Sequence, residues 1–501
     1  PEADMVTGLV LNSDTPELST FETSSAMLNQ LQSNILWGLR SNYVSVPTDC
    51  PQRDERLGWT DHHEVAKTAL YNYDSYAFYR KWLADIRQAQ NPDGEIIIIA
   101  PANPNLHFDG HAGWQDTAVI LPWTLYKTYG DTAIITENYE MMTRYVDYCI
   151  TDCVEGKPLI RRPCYFGDWL QVDADTPKDV LSTAFFAYSA QLLSEMAEVI
   201  GNTADAAKYA KLHDDIAQAF CDEFVSADGT VGNGTQACYI FALKMGLLPE
   251  AQRTDAAGRL AADIKARGHL TTGFVSTGYL CPMLSEYGYT DVAYSLLLSE
   301  SYPSWGYTIK NGANTMWERW DSYTIENGFG DVSMNSFNHI NFGSIGEWMY
   351  QYMGGIRMTD GDVGYDHFLI APELGSGVTF CRTSTDTVRG TIRSDWSCGE
   401  DGSFRLSLSV PAGSTATMRL PFGNLKDLRE GGKDVATETI DGIRSAAVED
   451  GRIVVELGSG DYEFLLAAET QEPSGGSGAS EPSEPSEPSG GEPDEPKPAE
   501  D

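Results

Sequence analysis

Residues 46–65 read VPTDCPQRDERLGWTDHHEV and crowd ionisable groups around one indole. Asp54 and Glu55 lie between Arg53 and Arg56, Trp59 follows, and Asp61, His62 and His63 come next. Carboxyl groups beside an aromatic ring suit general acid–base work on an acetal. Such chemistry needs one carboxylic acid to protonate a departing oxygen, a second carboxylate, and polar groups that fix hydroxyls. Adjacent Asp54 and Glu55 would point about 100° apart on a helix, so they cannot serve one substrate equally. Asp49 with Glu55, or Glu55 with Trp59, makes a better shared face or loop rim, and Arg53 adds a cation. A solvated, charged helix start with Arg–carboxylate pairs fits the same residues, and the residues alone leave both readings open. His62 and His63 are adjacent and lack metal-ligand spacing. His107 and His111 stand four apart, but NPNLHFDGHAG contains Pro and Gly and is not helical. No metal and no cofactor are expected.

Four further stretches carry similar residue types. In NTMWERWDS (314–322), Glu318 sits between Trp317 and Trp320, with Arg319 beside it. Flanking indoles desolvate a carboxylate and raise its pKa, which suits acid–base work; an ordinary Glu–Arg pair among core Trp residues is the alternative. In GWQDTAVILPW (113–123), Trp114 can stack on a sugar face, whereas Asp116 can accept a hydroxyl or cap the following helix. YFGDWL (165–170) repeats the pairing of acid and indole with Asp168 and Trp169. NSFNHINFGSIGEWMY (335–350) places His339 before an apolar helical run, where a lone His is more often a core residue.

These stretches must be held by something rigid. Ser24 or Ser25 reads as an N-cap, followed by Leu28, Leu31, Ile35 and Leu39 at helical spacing. Phe185, Ser189, Leu192, Met196 and Val199 form another stripe, closed by Gly201, and a second helix runs from about Ala204 to Phe224. Helix follows helix to about residue 355, interrupted by long aromatic segments at 91–116, 161–179 and 301–324. Loops of that length inside a compact domain are usually functional. Serial hairpins with all such loops at one end suggest a mainly α helical toroid with a cleft where they converge. After about residue 360 the period becomes two. Phe404, Leu406, Leu408 and Val410 alternate, as do Ile453, Val455 and Leu457 and then Tyr462, Phe464 and Leu466. Gly458–Gly460 reads as a hairpin turn between the last two runs. A small antiparallel β domain is expected there.

The chain has 501 residues, enough for more than one domain, and 42% are hydrophobic, with 11 Trp and 25 Tyr. A net charge of −39 argues against nucleic acid and anionic membrane surfaces. A run such as EIIIIAP (95–101) is far too short to span a membrane. Aromatic surplus in an acidic protein suits a neutral or cationic ligand, and sugars are the common neutral ligand that stacks on rings. The nine Cys are scattered without a CxxC pair, though Cys381 and Cys398 lie in a β-like region and could pair. The expected division is 1–23 as the remnant of an upstream β domain, with MVTGLVLNS (5–13) as a strand; 24–358 as the helical domain; 359–468 as the β domain; and 469–501 as a disordered Pro/Ser/Glu-rich tail. Such a tail commonly joins an extracellular enzyme to a wall anchor or further module, so an extracellular or cell-surface location is expected.

SVPTDCPQRDERLGWT, HAGWQDTAVILPW, YPSWGYTIKNGANTMWERWDS and NSFNHINFGSIGEWMY, in that order, resemble the signature stretches of bacterial α-L-rhamnosidases, glycoside hydrolase family 78. The resemblance is colinear from about residue 5 to about 465. It implies an (α/α)6 barrel catalytic domain followed by a small antiparallel β-sandwich domain, and an inverting glycoside hydrolase that releases terminal α-L-rhamnose from rhamnosides. Glu55 then matches the general acid and Glu318 the general base. Asp49 matches an aspartate that binds rhamnose hydroxyls. Arg53, Trp59, Trp114 and His339 match the sugar pocket, as do Asp168 and Trp169 in a shorter version of their motif. The partner implied is a rhamnose-containing carbohydrate. Rhamnose carries a methyl where other hexoses carry a hydroxymethyl, so an apolar wall of loop aromatics is expected. The family reads Gly-Trp-Thr-Gly-Asp where this chain reads Gly58-Trp59-Thr60-Asp61-His62. Either Asp61 substitutes from one position earlier or the pocket has one carboxylate fewer, so the alternatives are a related (α/α)6 glycosidase with altered sugar specificity and a catalytically weak rhamnose-binding fragment.

Overall fold

The computed structural model describes residues 5, 7–51, 53, 57–103 and 111–467. Glu55, His107 and the tail beyond 467 lie outside the described residues. Thirteen α-helices are described: α1 (Ala26–Asn42), α2 (Ala66–Asn72), α3 (Tyr76–Ala89), α4 (Thr117–Tyr129), α5 (Ala133–Thr151), α6 (Lys178–Val199), α7 (Thr203–Phe224), α8 (Gln236–Lys244), α9 (Glu250–Arg267), α10 (Phe274–Glu286), α11 (Thr290–Leu297), α12 (Trp305–Lys310) and α13 (Ile345–Trp348). Ser25 caps α1 by accepting the Leu28 N–H, and the Leu28, Leu31, Ile35 and Leu39 stripe is buried. Gly201, with φ of 77°, ends α6 in the left-handed conformation that glycine tolerates best.

Burial sorts the helices into two rings. Helix α8 buries Gln236 through Leu243, and α4, α6 and α10 are likewise buried almost all round. Helix α7 buries only Tyr209, Ile216 and Phe220, and α9 a single Ala/Leu/Ile face. A helix that is apolar on every side belongs inside, and one with a single apolar stripe belongs outside. The inner helices touch in a closed cycle, α2 to α4, α6, α8, α10, α13 and back to α2. The outer helices α5, α7, α9 and α11 each pack on the inner helix that precedes them. This is the helical toroid that the spacing predicts. Among the described residues no helix is long and apolar enough to cross a membrane.

The β region holds two sheets. One has seven strands, in the order Ser19–Thr23, Phe380–Thr387, Gly390–Cys398, Phe404–Val410, Gly460–Leu466, Leu428–Glu430 and Lys433–Asp434. The other has five, in the order Ile356–Arg357, His367–Ile370, Thr415–Leu420, Arg452–Leu457 and Ile443–Glu449. Pairing is antiparallel throughout except between His367–Ile370 and Thr415–Leu420. Phe404, Leu406, Leu408 and Val410 are all buried, as their alternation requires.

Four expectations change. Ser19–Thr23 pairs with Thr385 through Cys381, so it is the edge strand of the C-terminal sheet rather than part of an upstream domain. Residues 7–13 form no strand, and Leu9, Val10 and Leu11 are exposed. Gly458–Gly460 is no hairpin turn; the strand before it lies in the five-stranded sheet and the strand after it in the seven-stranded one. Alternation reports a half-buried strand, not its partner. Cys381 stands opposite Trp396 in the ladder rather than opposite Cys398, and both remain thiols.

The N-terminal strand also stitches the two domains. The Ser19 hydroxyl bonds the Asn72 side chain of α2 and the Tyr350 hydroxyl, and Gln32 of α1 donates to both of those groups. Deleting residues 1–23 should therefore lower a single melting transition by on the order of 5 °C, rather than uncoupling two domains, in scanning calorimetry.

Candidate active site

The long loops sit before the inner helices. Thr60–Val65, a buried 3-10 turn, leads into α2; Trp114 precedes α4, Phe166 and Trp169 precede α6, Phe274 opens α10, and His339 precedes α13. Five inner helices therefore bring their N-termini to one end, where the peptide dipoles favour negative charge. A cavity of about 170 Å³ opens there, lined by Asp49, Arg53, Trp59, Asp61, Trp114, Phe166, Trp169, Phe274, Glu318, Ser333, Met334 and His339.

Glu318 is 2% exposed, and its carboxylate accepts a hydrogen bond from Arg53 Nη1 at 3.2 Å. Its own N–H donates to Ser336 O at 3.0 Å, which fixes the backbone. Trp320, stacked on Phe342 at 4.1 Å and edge-on to Trp305 at 5.4 Å, packs behind it. Glu318 is buried, and an arginine offsets its desolvation.

Asp49 and His339 face each other, with Oδ2 and Nε2 3.6 Å apart. Burial pushes the His339 pKa down to about 3, so the ring is neutral. Its Nδ1 accepts the Asn341 N–H at 3.4 Å, which leaves the proton on Nε2, towards Asp49. The His339 ring also lies 4.5 Å from Phe274, as part of the cavity wall and not of the hydrophobic core. Asp49, Cys50 and His339 are the one group of possible metal ligands among the described residues, with donor atoms within 4.8 Å. Arg53 donates to Cys50 Sγ at 3.6 Å, so a guanidinium already supplies positive charge at that place.

The aromatic wall has a centre that sequence reasoning missed. Phe166 lies 5.0 Å from Trp114, 5.4 Å from Trp169, 6.3 Å from Trp59 and 4.7 Å from His111. Trp59 is held in place by a short ladder, Gly58 opposite Ala100 and Trp59 opposite Ile99. A Cβ on Gly58 would lie 2.3 Å from Ala100 O and 2.5 Å from Trp82 Nε1, so only glycine fits there.

The two positions after Thr60 separate sharply. Asp61 lines the cavity, and its Oδ2 accepts from Asn341 Nδ2 at 2.7 Å. His62 points away into a box of Tyr43, Tyr79 and Trp82, where burial takes its pKa down to about 3. It is a core residue. His63 and Glu64 form a buried pair at 3.3 Å. Burial raises Glu64 to about 7, while Glu64 lifts His63 in spite of burial. A solvated charged face is therefore excluded for Asp61 to Glu64, all of them buried.

Asp168 does not line the cavity. Its carboxylate accepts from the Gly273 N–H at 2.8 Å, the Ser276 N–H at 3.1 Å and the Ser276 hydroxyl at 2.6 Å, which ties the 161–177 loop to the N-terminus of α10. Its acceptor sites face protein donors, so the expected contact with a sugar gives way to anchoring Trp169. Asp116 behaves alike: it accepts from Gly113 N–H and the Ser189 hydroxyl rather than capping α4 with its side chain. Glu55 lies outside the described residues. Of the remaining expected site residues, Asp49, Arg53, Trp59, Trp114, Trp169, Glu318 and His339 line one cavity.

A profile described as the bacterial alpha-L-rhamnosidase 6 hairpin glycosidase domain matches residues 16–353, and one for the bacterial alpha-L-rhamnosidase C-terminal domain matches 355–434. An alpha-L-rhamnosidase of Streptomyces avermitilis is 43% identical over 466 residues, 93% of this chain and 43% of that protein. One from Formosa agariphila is 38% identical over 442 residues, 86% of this chain and 47% of its own. The crystal structure of the Streptomyces avermitilis enzyme complexed with L-rhamnose superposes with a TM-score of 0.85 at 42% identity, over 91% of this chain and 43% of that one. This chain thus spans a little under half the length of the curated relatives named here.

Burial raises the Asp168 pKa from 3.8 to about 6 despite its hydrogen bonds. Between those pH values the folded chain holds a proton that the unfolded chain has released. The contribution of this group to stability is therefore greatest at and below pH 4 and falls as pH rises to 6. Wild-type stability relative to Asp168→Asn should drop by about 3 kcal/mol from pH 4 to pH 6 and then level off, measured by denaturant titration at each pH.

Proposed function

The chain belongs to the bacterial α-L-rhamnosidase six-hairpin glycosidase family, and from that premise we propose that it hydrolyses terminal α-L-rhamnosides with inversion at the anomeric carbon. The observation that carries this reading is Glu318, a buried carboxylate held by Arg53 in an aromatic-lined cavity. The nearby guanidinium favours the ionised form, which is what a base needs. Glu318 takes a proton from water as the water oxygen bonds to the anomeric carbon. Glu55, on the motif resemblance, gives its proton to the glycosidic oxygen as that bond to carbon breaks. The water must fit between base and sugar, so an inverting pair stands roughly 6.5–9.5 Å apart.

Asp49 and Asp61 offer acceptors to ring hydroxyls, and His339 Nε2–H offers a donor. The group of Phe166, Trp114 and Trp169 gives the rhamnose methyl an apolar face. With Asp61 turned into the cavity and His62 into the core, a pocket carboxylate is retained, one residue earlier than in the family pattern. An extracellular or cell-surface location, with the 469–501 tail as an attachment to wall or further domains, belongs to the same proposal and rests on the tail's composition.

Glu318→Gln and Glu55→Gln should each cut release of nitrophenol from 4-nitrophenyl α-L-rhamnoside by about 10²–10⁴-fold. Activity within a few-fold of wild type in either variant would overturn the assigned roles. Asp61→Asn should lower kcat/KM by roughly tenfold and weaken L-rhamnose binding in calorimetry, as expected when a charged acceptor is lost. Phe166→Ala should weaken binding of L-rhamnose more than that of L-mannose, its 6-hydroxylated counterpart, because only the former loses an apolar partner.

A further inference from the structure

Two 3-10 turns meet beside the cavity, at the seam where the inner ring closes. Thr60–Val65 leads into α2, and Asn341–Ser344 leads into α13, the last helix of the ring. The turns pack against each other, as do α2 and α13. Along the helices the seam has its own fastening. The Thr68 hydroxyl of α2 donates to Ser344 O at 3.1 Å and accepts the Glu347 N–H at 2.8 Å, and Lys67 pairs with Glu347 at 2.9 Å. A Cβ on Gly346 would lie 2.5 Å from Thr68 Cγ2, so the two helices already touch there. The ring is thus closed independently of any contact at the cavity end.

At the cavity end, one residue reaches two members of the wall. Asn341 is fully buried, and its Nδ2 donates to Asp61 Oδ2 at 2.7 Å. Its backbone N–H donates to His339 Nδ1 at 3.4 Å. Asp61 and His339 line the cavity, whereas Asn341 stands behind them. Its Oδ1 has no hydrogen-bond partner among the described residues. Turning the amide over would set that oxygen against the Asp61 carboxylate, acceptor to acceptor, so Asp61 fixes the amide as the amide fixes Asp61. A buried acceptor without a donor is costly, and here it accompanies a donor aimed at an acid of the cavity wall. The family reads Gly where Asp61 stands and so has no carboxylate there for residue 341 to hold. The contact therefore belongs to this chain's departure from the pattern.

We propose that Asn341 is a positioning residue for sugar binding, its amide holding the Asp61 carboxylate towards the cavity while its backbone N–H keeps the His339 proton on Nε2. An acceptor and a donor then face the hydroxyls of the bound sugar in fixed directions. The proposal rests on the rhamnoside-hydrolase reading above and assigns how its acceptor at residue 61 is set. Groups held in place beforehand lose less freedom when the sugar binds, so the effect falls on binding rather than on the bond-breaking step.

Asn341→Ala removes the amide and keeps the backbone N–H to His339. It should weaken L-rhamnose binding in calorimetry and raise KM for 4-nitrophenyl α-L-rhamnoside by about fivefold each, with kcat within about twofold of wild type. Asp61→Ala should weaken binding by about tenfold, and the double variant with Asn341→Ala by the same factor rather than by the product of the two, because Asn341 acts through Asp61. Asn341→Leu keeps the buried volume and should bind like Asn341→Ala, which keeps the test sound if the alanine variant folds poorly. Thr68→Val should lower the melting temperature and leave KM within about twofold of wild type, because it loosens the seam away from the cavity. Unchanged binding in both Asn341 variants, losses that multiply in the double variant, or a KM rise in Thr68→Val equal to that in Asn341→Ala would overturn the positioning role and leave the hydrolase reading intact. A wild type that neither binds L-rhamnose nor cleaves the glycoside would overturn the hydrolase reading, and the proposal with it.

Discussion

The contact between Arg53 and Glu318 is the constraint on which the cavity depends. A carboxylate 2% exposed among indoles is costly unless a cation reaches it. Arg53 comes from the segment after α1 and Glu318 from the segment after α12, 265 residues further on. The two ends of the helical domain must therefore meet at one place, and the closed inner ring brings that about. Within it, inner-helix N-termini turn towards the cavity, so backbone N–H groups stand ready for acids. Asp168 takes up those of α10 and Asp116 that of Gly113.

Acids in this region do two kinds of work. Asp49, Asp61 and Glu318 face the cavity, whereas Asp116 and Asp168 stand behind it and tie loops to helices, and Glu64 pairs with its neighbour His63. The second group keeps the aromatic wall in position. Trp169 lies in the cavity wall because its neighbour Asp168 is pinned to α10, and Trp59 because Gly58 allows the chain to press against Ala100 and Trp82. The same division explains why the aromatic wall is rigid. Its rings come from loops, but each loop is fastened within one or two residues of its ring.

Much of this was legible in the sequence, for identifiable reasons. Apolar stripes at helical spacing marked α1 and α6, because side chains turned towards the core recur with the helical period. Residues with distinctive chemistry, Arg53, Glu318 and His339, stood out by type and motif. Phe166 did not, because nothing in YFGDWL distinguishes a ring that faces a cavity from one that faces a core. Asp168 misled for the complementary reason: an acid beside an indole looks the same whether it receives hydroxyls or backbone N–H groups. The split between Asp61 and His62 depends on the direction of a 3-10 turn, which no spacing rule reports. Ser19–Thr23 and the crossing at Gly458–Gly460 escaped because strand partners are set by tertiary packing.

The central claim is that Glu318 directs water to the face of the sugar opposite the departing oxygen. Proton NMR of the first sugar released from methyl α-L-rhamnoside, recorded before mutarotation, tests it most directly. The account predicts that β-L-rhamnose appears first and the α anomer only as the two equilibrate. Initial release of α-L-rhamnose would mean a covalent, retaining route and would contradict the assignment of Glu318 as the base.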